Sequence, residues 1–208
     1  MSKNNQEIEA KFAVRDLAPI QARLLEMGAI SIVPRQMEFN LRYDTPDRTL
    51  SETGQVLRLR RYDDIRMTYK GPGLRNEGVL ERTEIETTLG DFDSARLIIE
   101  HLGYTPIFLY EKYRAIWQLG ANQVMLDEMP FGKFIEIEAP SAEEVRALAR
   151  QLGLNPHASI PASYQSLFER VKVTRRLTFS DITFANFAGI SVSPEDFQSE
   201  FGEESAST

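Results

Sequence analysis

The residues of this chain best suited to chemistry are three copies of Glu-Ile-Glu, at Glu7-Ile8-Glu9, Glu84-Ile85-Glu86 and Glu136-Ile137-Glu138. Side chains alternate between faces along a strand, so each copy sets two carboxylates on one side and an isoleucine on the other. Leu57-Arg58-Leu59-Arg60, Arg66-Met67-Thr68-Tyr69-Lys70 and Lys112-Tyr113-Arg114 repeat the alternation with cations. A single strand of this kind reads as the solvated face of a sheet. Recurrence over six or more strands points instead to a sheet closed on itself, with a charged lumen and an apolar outer face under helices.

In such a barrel the inward set holds Glu7, Glu9, Glu84, Glu86, Asp127, Glu136 and Glu138 beside Lys11, Arg58, Arg60, Arg66, Lys70, Arg82, Lys112 and Arg114. Charges enclosed dry and unpaired cost several kcal/mol each, so they must pair, keep water or take up ligands. Carboxylates without histidine or thiol suit a hard divalent cation held through oxygen, Mg²⁺ or Mn²⁺. Guanidinium and ammonium groups facing them suit a polyanion. Both together describe a site for a metal-bound polyphosphate, held by side chains because no Walker-type glycine loop is present. Lys11, beside Glu7 and Glu9, is a candidate general base, although metal activation of the nucleophile would also suffice.

The elements that must position these groups are legible as strands near residues 7–12, 36–43, 55–61, 66–70, 80–88, 109–119, 123–127 and 133–138. Asp16, Asp91 and Ser141, the last with Glu144 as a capping box, open helices that stop at Gly28, Gly103 and Gly153. A further helix is expected around residues 164–173. Gly71 to Gly78 has the composition of a mobile loop or lid, or of a plain hairpin loop. Trp117, Phe179, Phe184 and Phe187 read as packing residues; an exposed aromatic patch among the last three would mark a homodimer surface.

The 208 residues, 42% hydrophobic, suffice for one large core. Residues 1–190 read as a single domain and residues 191–208 as an acidic, disordered tail. No apolar run has the length of a membrane span and residues 1–6 lack a signal peptide's apolar stretch, so a cytoplasmic protein off the membrane is expected. The absence of cysteine excludes disulfides and thiolate metal sites. His101 and His157, both read as structural, are too few for a histidine-rich zinc centre. A net charge of -7 argues against general nucleic-acid binding and requires any anion site to be local and enclosed.

Glu7-Ile8-Glu9-Ala10-Lys11 matches the Glu-x-Glu-x-Lys signature of the CYTH superfamily, the triphosphate tunnel metalloenzymes. The resemblance runs in family order over about residues 5–170. It passes through Leu57-Arg58-Leu59-Arg60, Thr68-Tyr69-Lys70-Gly71-Pro72, Arg82-Thr83-Glu84-Ile85-Glu86, Lys112-Tyr113-Arg114, Leu126-Asp127 and Gly132 to Glu138. With Phe39, Pro46-Asp47-Arg48 and Ser163-Tyr164, the chain is most similar to the class IV adenylate cyclase branch, related to thiamine triphosphatase.

The resemblance implies an α+β fold: an antiparallel eight-stranded β-barrel, helices packed outside, binding a triphosphate with divalent metal. Glu7, Glu9, Glu136 and Glu138 take the place of metal ligands, supported by Asp127, Glu84 and Glu86. Lys11, Arg58, Arg60, Lys70, Lys112 and Arg114 hold phosphate oxygens, and Arg82 either joins them or pairs with neighbouring glutamates. Glu7, Glu9 and Lys11 form the catalytic set. The leading expectation is a cyclase making cyclic AMP and pyrophosphate from ATP. The alternatives are a triphosphatase acting on inorganic, nucleoside or thiamine triphosphate, a polyphosphate-binding module without turnover, and a structural barrel whose charges pair internally.

Overall fold

The computed structural model describes residues 6–193 and residue 196. Eight antiparallel strands close into a barrel: β1 Gln6–Val14, β2 Ile30–Asp44, β3 Val56–Arg61, β4 Ile65–Asn76, β5 Val79–Leu89, β6 Thr105–Leu119, β7 Asn122–Met129 and β8 Gly132–Glu138. Their order around the barrel is β1-β5-β4-β3-β2-β6-β7-β8, and β1 closes it by pairing with both β5 and β8. Among the described residues five α-helices accompany them: α1 Ala18–Glu26, α2 Thr49–Glu52, α3 Phe92–His101, α4 Ala142–Gln151 and α5 Tyr164–Arg175. The expected α+β barrel with outer helices is the fold observed.

The two-residue period of the strands decides what each helix covers. While Glu7, Glu9 and Lys11 line the lumen, Ala10 and Phe12 point outward into a core with Ile135, Ile137, Val124 and Leu126. Apolar residues about one turn apart on α1 (Ile20, Leu24) and α4 (Val145, Leu148, Ala149) form stripes buried in that same core. α3 packs Phe92, Ala95 and Ile99 on the outward Tyr43 and Leu59. α5 is different, because its Leu167 and Phe168 pack with Phe108, Tyr110 and Phe134, which share the inward parity of Lys112 and Glu136. It therefore plugs one end of the barrel.

Beyond α5 the chain returns to β6. Ile182 accepts from the Glu111 amide (2.8 Å) and donates to the Leu109 carbonyl (2.9 Å) in a parallel bridge, while the Asp181 carboxylate accepts from the Leu109 amide (3.0 Å). This strap covers the stretch of β6 that β7 does not pair, since β7 reaches only from Tyr113 to Leu119. Phe179 and Phe187 pack edge to face, centroids 5.2 Å apart, and Phe184 lies 5.1 Å from Tyr113. These rings and the buried Trp117 are packing residues, as expected.

Three local expectations change. The N-cap of α1 is Leu17 without a side-chain cap, and Asp16 accepts from Lys133 instead (3.1 Å). Pro19, in the first helical turn, has no N–H to satisfy and suits an uncapped start. Gly71 to Asn76 is strand, paired with β5 through a register shift between Lys70 and Gly73, and the connection shrinks to Glu77-Gly78. β2 begins at Ile30, well before residue 36. Of the tail, residues 191–193 and 196 are described: Asp196 is buried and accepts from Arg175 (2.7 Å) and the Ser193 amide (2.8 Å). The disorder expected of residues 194, 195 and 197–208 lies outside the described residues.

Candidate active site

The lumen holds a cavity of about 290 Å³ lined by Glu7, Glu9, Lys11, Arg58, Arg60, Lys70, Arg82, Glu84, Glu86, Lys112, Arg114, Glu136 and Glu138. Strand order divides this wall by sign. Glu138 and Glu136 lie on β8, Glu7 and Glu9 on β1, Glu84 and Glu86 on β5, and these strands are neighbours. Across the lumen stand β3, β2 and β6 with Arg58, Arg60, Arg42, Lys112 and Arg114. The arcs are not pure: Lys11 and Arg82 sit on the acidic side, and Glu38 on the basic one.

Register fixes the contacts. Lys11 stands opposite Glu136 across β1 and β8, with Nζ 3.0 Å from its Oε1, and also donates to the Ala162 carbonyl (3.4 Å). Lys70 reaches Glu7 (2.7 Å) and Glu84 (3.1 Å), and Arg82 reaches Glu7 (2.7 Å) and Glu9 (3.4 Å). Burial alone would raise the Glu7 pKa, but Lys70 and Arg82 hold it far below the usual carboxylate range. Its neighbours go the other way. Burial, Glu7 and Glu136 raise Glu9; burial and Glu7 raise Glu84 against the pull of Lys70. Burial, with Glu7, Glu84 and Glu9 beside it, lifts Glu138 to about 7.

Mutual repulsion among closely set carboxylates is the electrostatic condition a divalent cation relieves, and every donor in the group is a hard oxygen. Glu7, Glu9, Glu84, Glu136 and Glu138 therefore fit a Mg²⁺ or Mn²⁺ ion chemically. As the side chains stand, no three acidic groups among the described residues converge to enclose an ion, because Lys11, Lys70 and Arg82 draw them apart.

Asp127 and Glu86 pair with the protein's own cations. Asp127 is inaccessible to solvent and accepts from Lys112 Nζ (3.0 Å), from Arg114 Nε and Nη2 (both 2.6 Å) and from the Tyr164 hydroxyl (2.7 Å). Arg114 also contacts Glu136. Glu86 pairs with Arg66 and accepts from the Thr68 hydroxyl (2.9 Å), with Arg60 at 3.7 Å and Arg58 at 3.9 Å. These two acids aim the guanidinium and ammonium groups that face the cavity.

Glu38, Asn40, Arg42, Tyr110 and Tyr164 belong to the site but were not assigned to it from sequence. Glu38 is fully buried and lies 3.4 Å from Lys112 and 3.8 Å from Arg60; these cations and Arg114 overcome its burial and hold its pKa low. Tyr164 lies beneath Lys11, whose Nζ is 4.0 Å from the ring centroid. The signal for the β2 residues was present: Gln36, Glu38, Asn40 and Arg42 alternate with Met37, Phe39, Leu41 and Tyr43.

A closed antiparallel barrel with opposed acidic and basic arcs inside defines the class: a tunnel protein with a charged lumen. The family model for the CYTH domain matches residues 5–164, and the chain belongs to that family. Adenylate cyclase CyaB of Aeromonas hydrophila is 25% identical over 177 residues, 79% of this chain and 89% of that protein. The structure of a candidate adenylate cyclase from Vibrio parahaemolyticus superimposes with a TM-score of 0.72 at 25% identity, covering 80% of this chain and 99% of that one. HpAC1 of Hippeastrum, a candidate adenylyl cyclase with a dominant triphosphatase activity, is 17% identical with a TM-score of 0.55, over 90% of this chain and 98% of that one. Likeness at that level speaks for the shared fold.

Proposed function

We propose that the tunnel binds the triphosphate of ATP and forms cyclic AMP and pyrophosphate. The observation that carries the triphosphate reading is the opposition of the arcs: Arg58, Arg60, Lys112 and Arg114 face the carboxylates of β8, β1 and β5 across one cavity. Glu86 lies 3.9 Å from Arg58 and 3.7 Å from Arg60, contacts loose enough to leave these guanidinium groups for phosphate oxygens. Nucleotide rather than bare triphosphate is favoured because the same cavity continues along Val33, Ile116, Met125 and Gln123, an apolar wall with one amide where a base could lie.

Glu7, Glu9, Glu84, Glu136 and Glu138 would hold Mg²⁺ or Mn²⁺; that ion would neutralise phosphate charge and raise the electrophilicity of phosphorus. The chain's own cations keep the triphosphate in line for attack, and Asp127 and Glu86 keep those cations in place. The ribose 3′-oxygen attacks the α-phosphorus, the bond from the α-phosphorus to the bridging oxygen breaks, pyrophosphate leaves, and the hydroxyl proton is lost. That proton passes to solvent water, and Lys11, ion-paired with Glu136 (3.0 Å) at the edge of the acidic arc, would hold a phosphate oxygen.

The test is a product assay with ATP and with tripolyphosphate, each with Mg²⁺ or Mn²⁺, resolving cyclic AMP, pyrophosphate and orthophosphate. Cyclic AMP with pyrophosphate is the expected result, abolished in Glu9→Gln with the thermal unfolding midpoint retained. Orthophosphate without cyclic AMP would replace the cyclase by a triphosphatase, the reaction in which water takes the place of the 3′-hydroxyl.

A further inference from the structure

Hydroxyl groups reach the cavity wall from Tyr62, Tyr110, Ser163 and Tyr164. Tyr62 donates to the Arg114 carbonyl (2.7 Å), Tyr164 donates to Asp127 (2.7 Å), and Ser163 is paired with Ser166 Oγ (2.9 Å). Tyr110 differs. Its hydroxyl oxygen accepts from Arg58 Nη1 (3.3 Å), and among the described residues no acceptor takes its own proton.

The Tyr110 hydroxyl is also held in place. The residue is 7% exposed, its ring stacks on Phe108 with centroids 5.7 Å apart, and its backbone is bridged to Ile182 of the strap. Burial would raise the Tyr110 pKa, yet Arg58 and Lys112 bring it below the ordinary value in spite of Glu38. Arg58 goes the other way: burial would lower its pKa, but Tyr110, Glu38 and Glu84 raise it. The guanidinium therefore supplies charge, and the phenol beside it supplies a proton.

Along β6 the inward positions run Ile116, Arg114, Lys112 and Tyr110, about 7 Å apart. With a base on the apolar wall at Ile116, the α-phosphorus falls near Arg114, and the β- and γ-phosphoryl groups run past Lys112 toward Tyr110. We infer that Tyr110 is the general acid of the cyclase reaction, giving its proton to the pyrophosphate as it leaves. The inference rests on the cyclase reading of the lumen. When the bond from the α-phosphorus to the bridging oxygen breaks, its electron pair stays with the pyrophosphate, and the Tyr110 proton passes to an oxygen of that group. Arg58 and Lys112 steady the phenolate left behind, which regains a proton from water once the product has gone.

Steady-state turnover of the full chain with Mg²⁺ or Mn²⁺ tests the assignment. The substrates are ATP and its β,γ-methylene and β,γ-difluoromethylene analogues, whose leaving groups are respectively more and less basic than pyrophosphate. Tyr110→Phe is expected to lower kcat for ATP by about a hundredfold, with KM within about threefold and the unfolding midpoint retained. The loss should be larger for the methylene analogue and smaller for the difluoromethylene one, because the more basic leaving group depends more on the donor. A merely structural role would lower all three by one factor, so equal losses, or none, would overturn the assignment. The unaltered protein gives a second measurement should Tyr110→Phe fold poorly. Its kcat should vary by less than about threefold across the three substrates, and a steep fall toward the methylene analogue would overturn the donor. Orthophosphate without cyclic AMP from the unaltered protein would overturn the cyclase reading itself, and the assignment with it.

Discussion

At the scale of single residues the lumen stores its electrostatic strain in Glu138. Burial, Glu7, Glu84 and Glu9 raise its pKa from 4.5 to about 7, so the native state holds this proton more tightly than the unfolded chain does. The stability gained is complete below about pH 4.5 and is lost as pH rises through 7. After allowance for solvent screening, the loss is on the order of 2 kcal/mol. In chelator, Glu138→Gln should match the parent near pH 4.5 and exceed it at pH 8 by that amount in urea unfolding; equal stability at both pH values would remove the assignment. Asp127 carries the opposite risk. Asp127→Ala leaves Lys112, Arg114 and the Tyr164 hydroxyl buried without their shared acceptor, and should cost about 3–5 kcal/mol. Denaturant titration reads this directly, and a loss below about 1 kcal/mol would show that water replaces the carboxylate.

Among the elements, those whose chemistry is local were readable from sequence. The strand period exposed the inward faces of β1, β5 and β8, and Ser141 accepts from the Glu144 amide as its capping pattern predicts (3.2 Å). Which acids pair with which cations was not readable, because that depends on register: Asp127 meets Arg114 only once β6 and β7 are aligned. The Gly71-Pro72-Gly73 stretch misled for a related reason. β4 pairs with β3 only as far as Lys70, so beyond it the strand continues as a two-stranded ribbon that tolerates proline and a bulge. The ribbon's tip is pinned at Gly78, which has φ +81° and would place a Cβ 1.9 Å from Ser159 Oγ. Gly78→Ala should cost about 2 kcal/mol from the left-handed backbone and the clash, with part of it returned by Ser159→Gly. Thermal unfolding of the single and double variants checks this; additive losses would mean that the tip does not dock on that turn.

For the whole molecule, the question is whether internal pairing or ligand satisfies the lumen. A barrel whose charges only serve one another gains little from added anion. A tunnel with spare donors gains by mass action: about 2.7 kcal/mol at a hundred times Kd, or roughly 5–10 °C in a chain of this size. Scanning fluorimetry with tripolyphosphate should show that shift, diminished at high salt because the site is open at one rim. A shift under about 1 °C at saturating anion would favour the structural barrel.

The strap at residues 181–184 bears on how the chain is made. β6 leaves the ribosome long before the strap that will cover Leu109 to Glu111, so a growing or prematurely ended polypeptide presents that stretch as a bare strand edge. Quality-control factors that recognise such edges could thereby tell an unfinished copy from a finished one, and chains ended at Arg176 should associate with one another where full-length chains do not.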